Sequence, residues 1–384
     1  MSSPLLEAAR KLAPTIRTYA GDTEAVRALP APVFEALFDA GIFLMAFPRS
    51  IGGGELDLPT YIQVIEELAK ADASTGWVVN QCAIFATYAA RMPRALARKL
   101  WIDTPRSVVA NTPQANAHAV VVEGGYRVTG RQGFSTGCRN ASWVAAHAEI
   151  WENGKLRMDH GAAETRYLFV PVAEAELLDT WHVRGMRGTG THHFAVNDVF
   201  VPADRTVLSI TAPLYETGPL YQIPRTLEFA SGDASVALGL ARTCLTTFSD
   251  LAGAKTPRAM QQLLRDQSMT QVIVGQAEAD LRSGRAFLHE AVREVWTQVS
   301  SGQPLTLDHR ANLRIAATHA IRLSSRIIDA VYNAAGATAV YESQLLQRHF
   351  QDIHVITQHL QSRLSHYEMV GRHWLGLPVD ETRL

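Results

Sequence analysis

The chain is short of the features that would commit it to a membrane, a nucleic acid or a metal. It has three cysteines in 384 residues, Cys82, Cys138 and Cys244, far apart and odd in number. Neither a disulfide framework nor a metal-ligand spacing can be built from them, which suits a reducing compartment. Charge of one sign is also missing, because 36 basic against 37 acidic side chains leave a formal net charge of -1. A broad nucleic-acid or anionic-lipid surface needs an excess of Lys and Arg. No apolar run approaches the ~20 residues of a membrane span. The opening MSSPLLEAARKLAPTIR is amphipathic and charged, without the apolar core of a secretory signal. The Gly52-Gly53-Gly54 run has no following Lys-Ser/Thr pair, so it reads as a loop and not as a phosphate cradle. These absences predict a cytoplasmic protein with no nucleic-acid partner, no membrane partner and no metal.

What is present is an ordinary globular composition, 47% hydrophobic and 19% charged, whose pattern changes twice along the chain. Apolar residues recur at helical spacing in Leu5–Tyr19, Ala31–Ala40, Leu58–Ala71 and Ser74–Arg91. The period then shifts toward two in Ala117–Val122, Tyr126–Phe134, Trp143–Trp151, Tyr167–Val170 and His193–Val201, which predicts strands. Long helical patterns return afterwards. Val274, Leu281, Leu288 and Val295 recur every seven residues with Ala277, Gly284 and Ala291 between them, a seam for a helical bundle. Leu313–Ala334 and Leu346–Leu375 predict two further bundle helices. The layout divides into residues 1–105 (helical), 106–215 (a β-domain) and 216–384 (a helical bundle).

Gly133-Phe-Ser-Thr-Gly137 closes one predicted strand with two adjacent hydroxyls, Ser135 and Thr136. Such a run serves a plain turn, because Ser, Thr and Gly satisfy turn backbone groups. It serves equally as a hydroxyl edge for a flat ligand with a polar rim. Three motifs bear on the choice. Trp181-His-Val-Arg-Gly-Met-Arg-Gly-Thr-Gly-Thr191, continued by Asn197-Asp-Val-Phe-Val-Pro202, resembles the Gly-Met-Arg-Gly-Ser/Thr run and Asp-Val-x-Val-Pro strand end of the acyl-CoA dehydrogenase superfamily. Gly133–Gly137 falls where that family's flavin-contacting strand end stands. Asn333-Ala-Ala-Gly336 resembles its Gln-x-x-Gly-Gly segment, with Asn for Gln and Ala337 for the second Gly.

The resemblance covers essentially the whole chain and implies an α+β fold: an N-terminal helical domain, a central β-domain and a C-terminal four-helix bundle. It implies that Asn111, Thr112, Ser135 and Thr136 meet a flavin, with one hydroxyl of the last two at the ring's N5 edge. It also implies a homotetramer in which Asn333 and Gly336 reach a neighbour's flavin. The family's dehydrogenases need a carboxylate base, and the position of that Glu is occupied here by Leu360. Asp352-Ile-His-Val-Ile-Thr-Gln-His359, with Tyr367-Glu-Met-Val-Gly-Arg-His-Trp-Leu-Gly376, is instead similar to the oxygenase components of two-component flavin monooxygenases.

That branch implies FMNH2 or FADH2 from a separate NAD(P)H:flavin reductase, together with O2. It implies a C4a-hydroperoxyflavin that hydroxylates an aromatic or indole-like small molecule. His359 would then be the principal catalytic side chain, with Thr136 preferred over Ser135 at N5. Many members carry a His on the N-terminal helix where Phe85 stands here, so Asn80, Phe85 and Tyr88 are expected at the substrate. On the predicted helix, His359, His366 and His373 share a face about 10 Å apart per step, too far for a shared metal, and His354 lies about 140° from His359. The alternatives are an FAD-dependent acyl-CoA dehydrogenase or related flavin oxidase, and a non-catalytic relative of the same fold.

Overall fold

The computed structural model describes residues 3–381 and 384. The chain opens with helices α1 (Pro4–Thr18), α2 (Ala20–Val26), α3 (Ala31–Asp39), α4 (Leu58–Ala71), α5 (Ala73–Phe85) and α6 (Arg94–Trp101). Asp57 and Asp72 start α4 and α5 by accepting the backbone N–H groups of Thr60 and Thr75, donors that a helix's first turn leaves free. Every residue of α5 except Gln81 is buried, so this helix has no solvent face and runs through the interior between neighbouring layers.

The middle of the chain is a twisted sheet built from β1 (Val109–Ala110), β2 (Ala117–Val122), β3 (Gly125–Ser135), β4 (Trp143–Glu152), β5 (Lys155–Leu156), β8 (Thr165–Pro171), β9 (Glu176–Leu178), β10 (His192–Pro202) and β11 (Thr206–Leu208). A small separate ribbon pairs β6 (Met158–Asp159) with β7 (Ala162–Ala163). The main order is β11-β8-β4-β2-β3-β10-β9, with β1 parallel to β4 at its other edge and β5 antiparallel to it. Inward-facing Ala117, Ala119, Val128, Ala146, Ala148, Ile150, Phe194 and Val196 form one apolar cluster, as side chains alternating across a strand require.

Helices α7 (Arg225–Ala254), α8 (Ser268–Ser300), α9 (Leu307–Ala335), α10 (Leu345–Ile356) and α11 (Ser365–Trp374) complete the chain. The seven-residue seam holds: Leu281, Leu288 and Val295 of α8 are fully buried, and each stabilises the bundle by roughly 1.5–3 kcal/mol. Val274 is only partly covered.

Leu346–Leu375 is not one helix. The chain leaves α10 after Ile356, passes through Thr357–His359, makes a 3₁₀ turn at Leu360–Ser362 and restarts at Ser365. Side chains of α9 cause the break by taking carbonyls that a continuous helix would use itself. Arg322 donates to Ser362 O at 2.8 Å and Thr357 O at 3.3 Å, and Thr318 Oγ1 donates to Gln361 O at 3.1 Å. The expected common face of His359, His366 and His373 therefore does not exist.

Candidate active site

A cavity of about 580 Å³ opens where α5, the end of β3, the loop before β10, α7 and the α10–α11 connection meet. Of the residues singled out from the sequence, Phe85, Tyr88, Asn111, Thr112, Thr136 and His359 line it. Its apolar wall is a cluster of rings: Phe85 lies 5.0 Å from Tyr88, tilted against it, and Tyr167 stands edge-on to both, 5.2 Å from Phe85 and 5.0 Å from Tyr88. The Tyr88 hydroxyl donates away from the cavity to Ser209 O at 2.7 Å, and the Arg225 guanidinium covers the ring at 3.3 Å. Tyr88 therefore offers the cavity an aromatic surface, its hydroxyl being engaged elsewhere. Thr112 Oγ1 donates to Gln132 Oε1 at 2.6 Å, which anchors the β1–β2 loop carrying Asn111.

The opposite edge carries hydroxyls. Thr136 Oγ1 lies 2.9 Å from Thr191 Oγ1, Thr191 Oγ1 lies 2.7 Å from Thr189 Oγ1, and Thr189 Oγ1 donates to Met186 O at 2.8 Å. Each hydroxyl has one proton. With the Thr189 proton spent on a carbonyl, Thr191 must donate to Thr189, and Thr136 must donate to Thr191. The row is thus polarised, and Thr136 turns acceptor lone pairs toward the cavity.

The loop bearing Thr189 and Thr191 is pinned from two sides. Met186 N donates to Asp352 Oδ1 of α10 at 2.5 Å, and Gly188 N to Glu24 Oε1 of α2 at 3.3 Å. Gly137, at φ +71, packs close under α5, and a Cβ there would lie 3.2 Å from Val78 Cγ1. Ser135 is fully buried one residue earlier, does not line the cavity, and its Oγ has no hydrogen-bond partner.

His359 lies in the break between α10 and α11, with extended backbone at φ -67, ψ 150. Its Nδ1 lies 2.9 Å from Oδ2 of Asp233 on α7, off the ideal hydrogen-bond direction. The Trp77 ring stands edge-on to the imidazole at 5.1 Å. Asn80, expected at the substrate, is instead fully buried behind the cavity. It accepts from Tyr61 Oη at 2.8 Å and donates to Asp233 Oδ1 at 2.9 Å. Gln81, which does line the cavity, donates to the same oxygen at 3.0 Å.

His354 pairs with Asp329 at 2.9 Å, and His373 with Asp308 at 2.7 Å; neither lines the cavity. His366 is buried against Thr318 at 2.9 Å. Asn333 and Gly336 lie exposed at the end of α9 and do not line this chain's cavity. Sequence reasoning missed Asp233, Gln81, Arg225, Thr189 and Thr191. A signal for Asp233 exists, because it is the only charged residue in the small and apolar run Ala230–Ala241.

Beside the cavity, a smaller one of about 270 Å³ is lined by Thr87, Arg91, Tyr221, Arg225 and Glu228. Burial pushes the Glu228 carboxyl up to about 8 and pulls Arg225 down to about 9. Burial also raises the Cys82 thiol to about 12 and the Cys138 thiol to about 11, so neither is a thiolate nucleophile at neutral pH.

Among the described residues lining the main cavity, none is Asp or Glu. A dehydrogenase's carboxylate base has no seat there. A flat ring with a polar edge suits the walls present, because Phe134 and Trp181 border the cavity beside the threonine row.

Residues 5–101 match the acyl-CoA dehydrogenase N-terminal domain and residues 231–363 the C-terminal domain of that family. Indole-3-acetate monooxygenase of Pseudomonas putida is 30% identical over 364 residues, spanning 94% of this chain and 90% of that protein. The chain belongs to the acyl-CoA dehydrogenase family. The flavin-dependent monooxygenase oxygenase subunit HsaA of Mycobacterium tuberculosis is 28% identical, covering 98% of this chain and 97% of its own. The crystal structure of 3-HSA hydroxylase from Rhodococcus sp. RHA1 superposes over 100% of both chains with a TM-score of 0.90 at 25% identity. The expected fold class is thereby established, and this member of the family stands with its flavin monooxygenases.

Proposed function

We propose that the cavity holds a reduced flavin and an aromatic substrate together, with Thr136 and His359 as the side chains that serve hydroxylation. The protein is the oxygenase component of a two-component flavin-dependent monooxygenase. It uses FMNH2 or FADH2 from a separate NAD(P)H:flavin reductase, together with O2. One oxygen atom enters a substrate C–H bond, the other leaves as water, and the reduced flavin supplies the two electrons and is released oxidised. A relative acting on indole-3-acetate favours an aromatic or indole-like small molecule, and the Phe85–Tyr88–Tyr167 wall offers the stacking surface such a ring needs. The dehydrogenase and oxidase alternatives are set aside, because the relatives are monooxygenases and no carboxylate among the described residues lines the cavity.

Reduced flavin supplies the electrons that activate O2; the chain's own residues supply position and protons. Thr136 would accept from a ring N–H, Asn111 and Thr112 would border the cofactor, and His359 would hold or move a proton at its cavity-facing nitrogen. Ser135, buried and outside the cavity wall, has no such part. Asn333 and Gly336 would meet the cofactor of a neighbouring copy in a homotetramer. Their exposure at the end of α9, beside exposed Val340 and Tyr341, supports that assembly. The balanced charge and three buried, free cysteines agree with a cytoplasmic location.

The polarised threonine row carries this reading. Reduced flavin bears an N–H where the oxidised ring bears a lone pair, so an acceptor at Thr136 discriminates between them. Anaerobic titration should give a dissociation constant for reduced flavin at least ~10-fold below that for oxidised flavin, the value of one good hydrogen bond. Thr191→Val frees the Thr136 proton and should erase most of the difference. Equal affinities in the wild type, or tighter binding of oxidised flavin, would count against the reading.

A further inference from the structure

We infer that Asp233 is a positioning residue that fixes His359 in one tautomer, with the proton on Nδ1 and the Nε2 lone pair presented to the cavity. The inference rests on His359 as the acid–base group of the proposed reaction, but its geometry stands independently of the substrate.

Asp233 is completely buried on α7, and the two oxygens of its carboxylate have separate duties. Oδ1 accepts from Asn80 Nδ2 at 2.9 Å and from Gln81 Nε2 at 3.0 Å. Oδ2 faces His359 Nδ1 at 2.9 Å, and neither atom has another polar partner among the described residues. The Asn80 amide is held in this sense, because turning it over would set its oxygen against the acceptor-only carboxylate, and Tyr61 Oη meets its Oδ1 at 2.8 Å. Nor can a side chain precede Asp233: a Cβ at Gly232 would lie 1.8 Å from Asn80 Oδ1. The seat of the amide thus requires glycine at 232, and the amide in turn orients the carboxylate.

A carboxylate is an acceptor only. The nitrogen facing it in a neutral imidazole must carry the proton, so Nε2 is left as the free base. Trp77, edge-on to the ring at an interplanar angle of 88°, opposes a flip. Ser362 Oγ donates to His359 O at 2.8 Å and fixes the connection on which the ring is mounted. When Nε2 gains a proton from a substrate N–H or O–H, Asp233 is already placed to stabilise the imidazolium. Asp233 itself touches neither cavity nor substrate.

Asp233→Asn tests this without changing shape. Asn80 and Gln81 both donate to Oδ1, so the new carbonyl keeps that position and the new NH2 replaces Oδ2. An NH2 facing Nδ1 forces the proton onto Nε2, reversing the tautomer. Long-range ¹H–¹⁵N spectra of flavin-free protein labelled with ¹⁵N-histidine, recorded with the ring neutral, read this directly, and His359→Ala identifies the signal. The wild type should show Nδ1–H and Asp233→Asn should show Nε2–H; the same tautomer in both overturns the inference.

In turnover, Asp233→Asn should lose at least ~10²-fold in coupled hydroxylation, the usual worth of an acid–base group, with substrate KM within about twofold. It should cost nothing further in a His359→Ala background, because two residues acting as a unit are not additive. Losses that multiply in the double variant would also overturn it. A wild type with the Nδ1–H tautomer that hydroxylates nothing would sink the oxygenase reading and leave the tautomer assignment standing.

Discussion

The hydroxyls of Thr136 and Thr191, one from the end of β3 and the other from the loop before β10, meet at 2.9 Å. Because Thr189 ends the row on the Met186 carbonyl, Thr136 is left as the acceptor at the cavity edge. Thr136→Ala should therefore divert reducing equivalents from product to free hydrogen peroxide, while Thr136→Ser keeps coupling near the wild-type level. The measurement is the ratio of peroxide to hydroxylated product per NADH consumed. Equal coupling in the Ala and Ser variants would show that this hydroxyl serves only the loop.

Ser135 is the control next door. Its Oγ is buried with no partner, and a buried polar atom without a hydrogen bond costs stability. Ser135→Ala should leave coupling unchanged and leave thermal stability unchanged or raise it by up to ~1 kcal/mol. A rise in peroxide release from this variant would move the cofactor-facing role from Thr136 to its neighbour.

Glu228 predicts a pH signature of stability. It is fully buried with Arg225, Arg91 and Thr87 about it, and burial raises its carboxyl from 4.5 to about 8. A raised acid binds its proton more tightly folded than unfolded. Its contribution is therefore most favourable at low pH and is lost as pH climbs from about 4.5 to 8. Glu228→Gln keeps the shape and removes the ionisation. Its melting temperature should gain on the wild type between pH 5 and pH 8 and level off above that. A difference independent of pH would mean that Glu228 is ionised in the native protein throughout.

Much of this architecture is legible in the sequence, and the failures have physical causes. Ala117–Val122 coincides with β2, where alternating burial leaves a period of two, and Trp143–Trp151 lies within β4, whose first four residues are all buried and whose alternation begins only at His147. Leu346–Leu375 kept its helical spacing across a real break, because the break is made by Arg322 and Thr318 reaching over from α9. No local pattern records a donor 40 residues away. His359 was still placed at the cavity, because a motif match located it and helical geometry did not. Asn80 and Asp233 exchanged importance for a related reason. Both are buried polar residues, and only the fold shows that the amide serves the carboxylate and the carboxylate serves the imidazole.

The two histidines five residues apart now separate cleanly. His354 is paired with Asp329 on the outside of the bundle, while His359 faces the cavity. His359→Ala should fold and bind reduced flavin yet lose at least ~10²-fold in coupled hydroxylation; His354→Ala should hydroxylate within about twofold of wild type. The reverse pattern would place the acid–base group elsewhere.

The central claim is that this protein inserts one atom of O2 into an aromatic substrate at the expense of reduced flavin made elsewhere. Purified protein, a separate flavin reductase, NADH and an indole-type substrate under ¹⁸O2 put it to the test by mass spectrometry. The account predicts a product heavier by one ¹⁸O atom, formed only when both proteins are present. A product that carries no ¹⁸O, or one formed from oxidised flavin without the reductase, would contradict it.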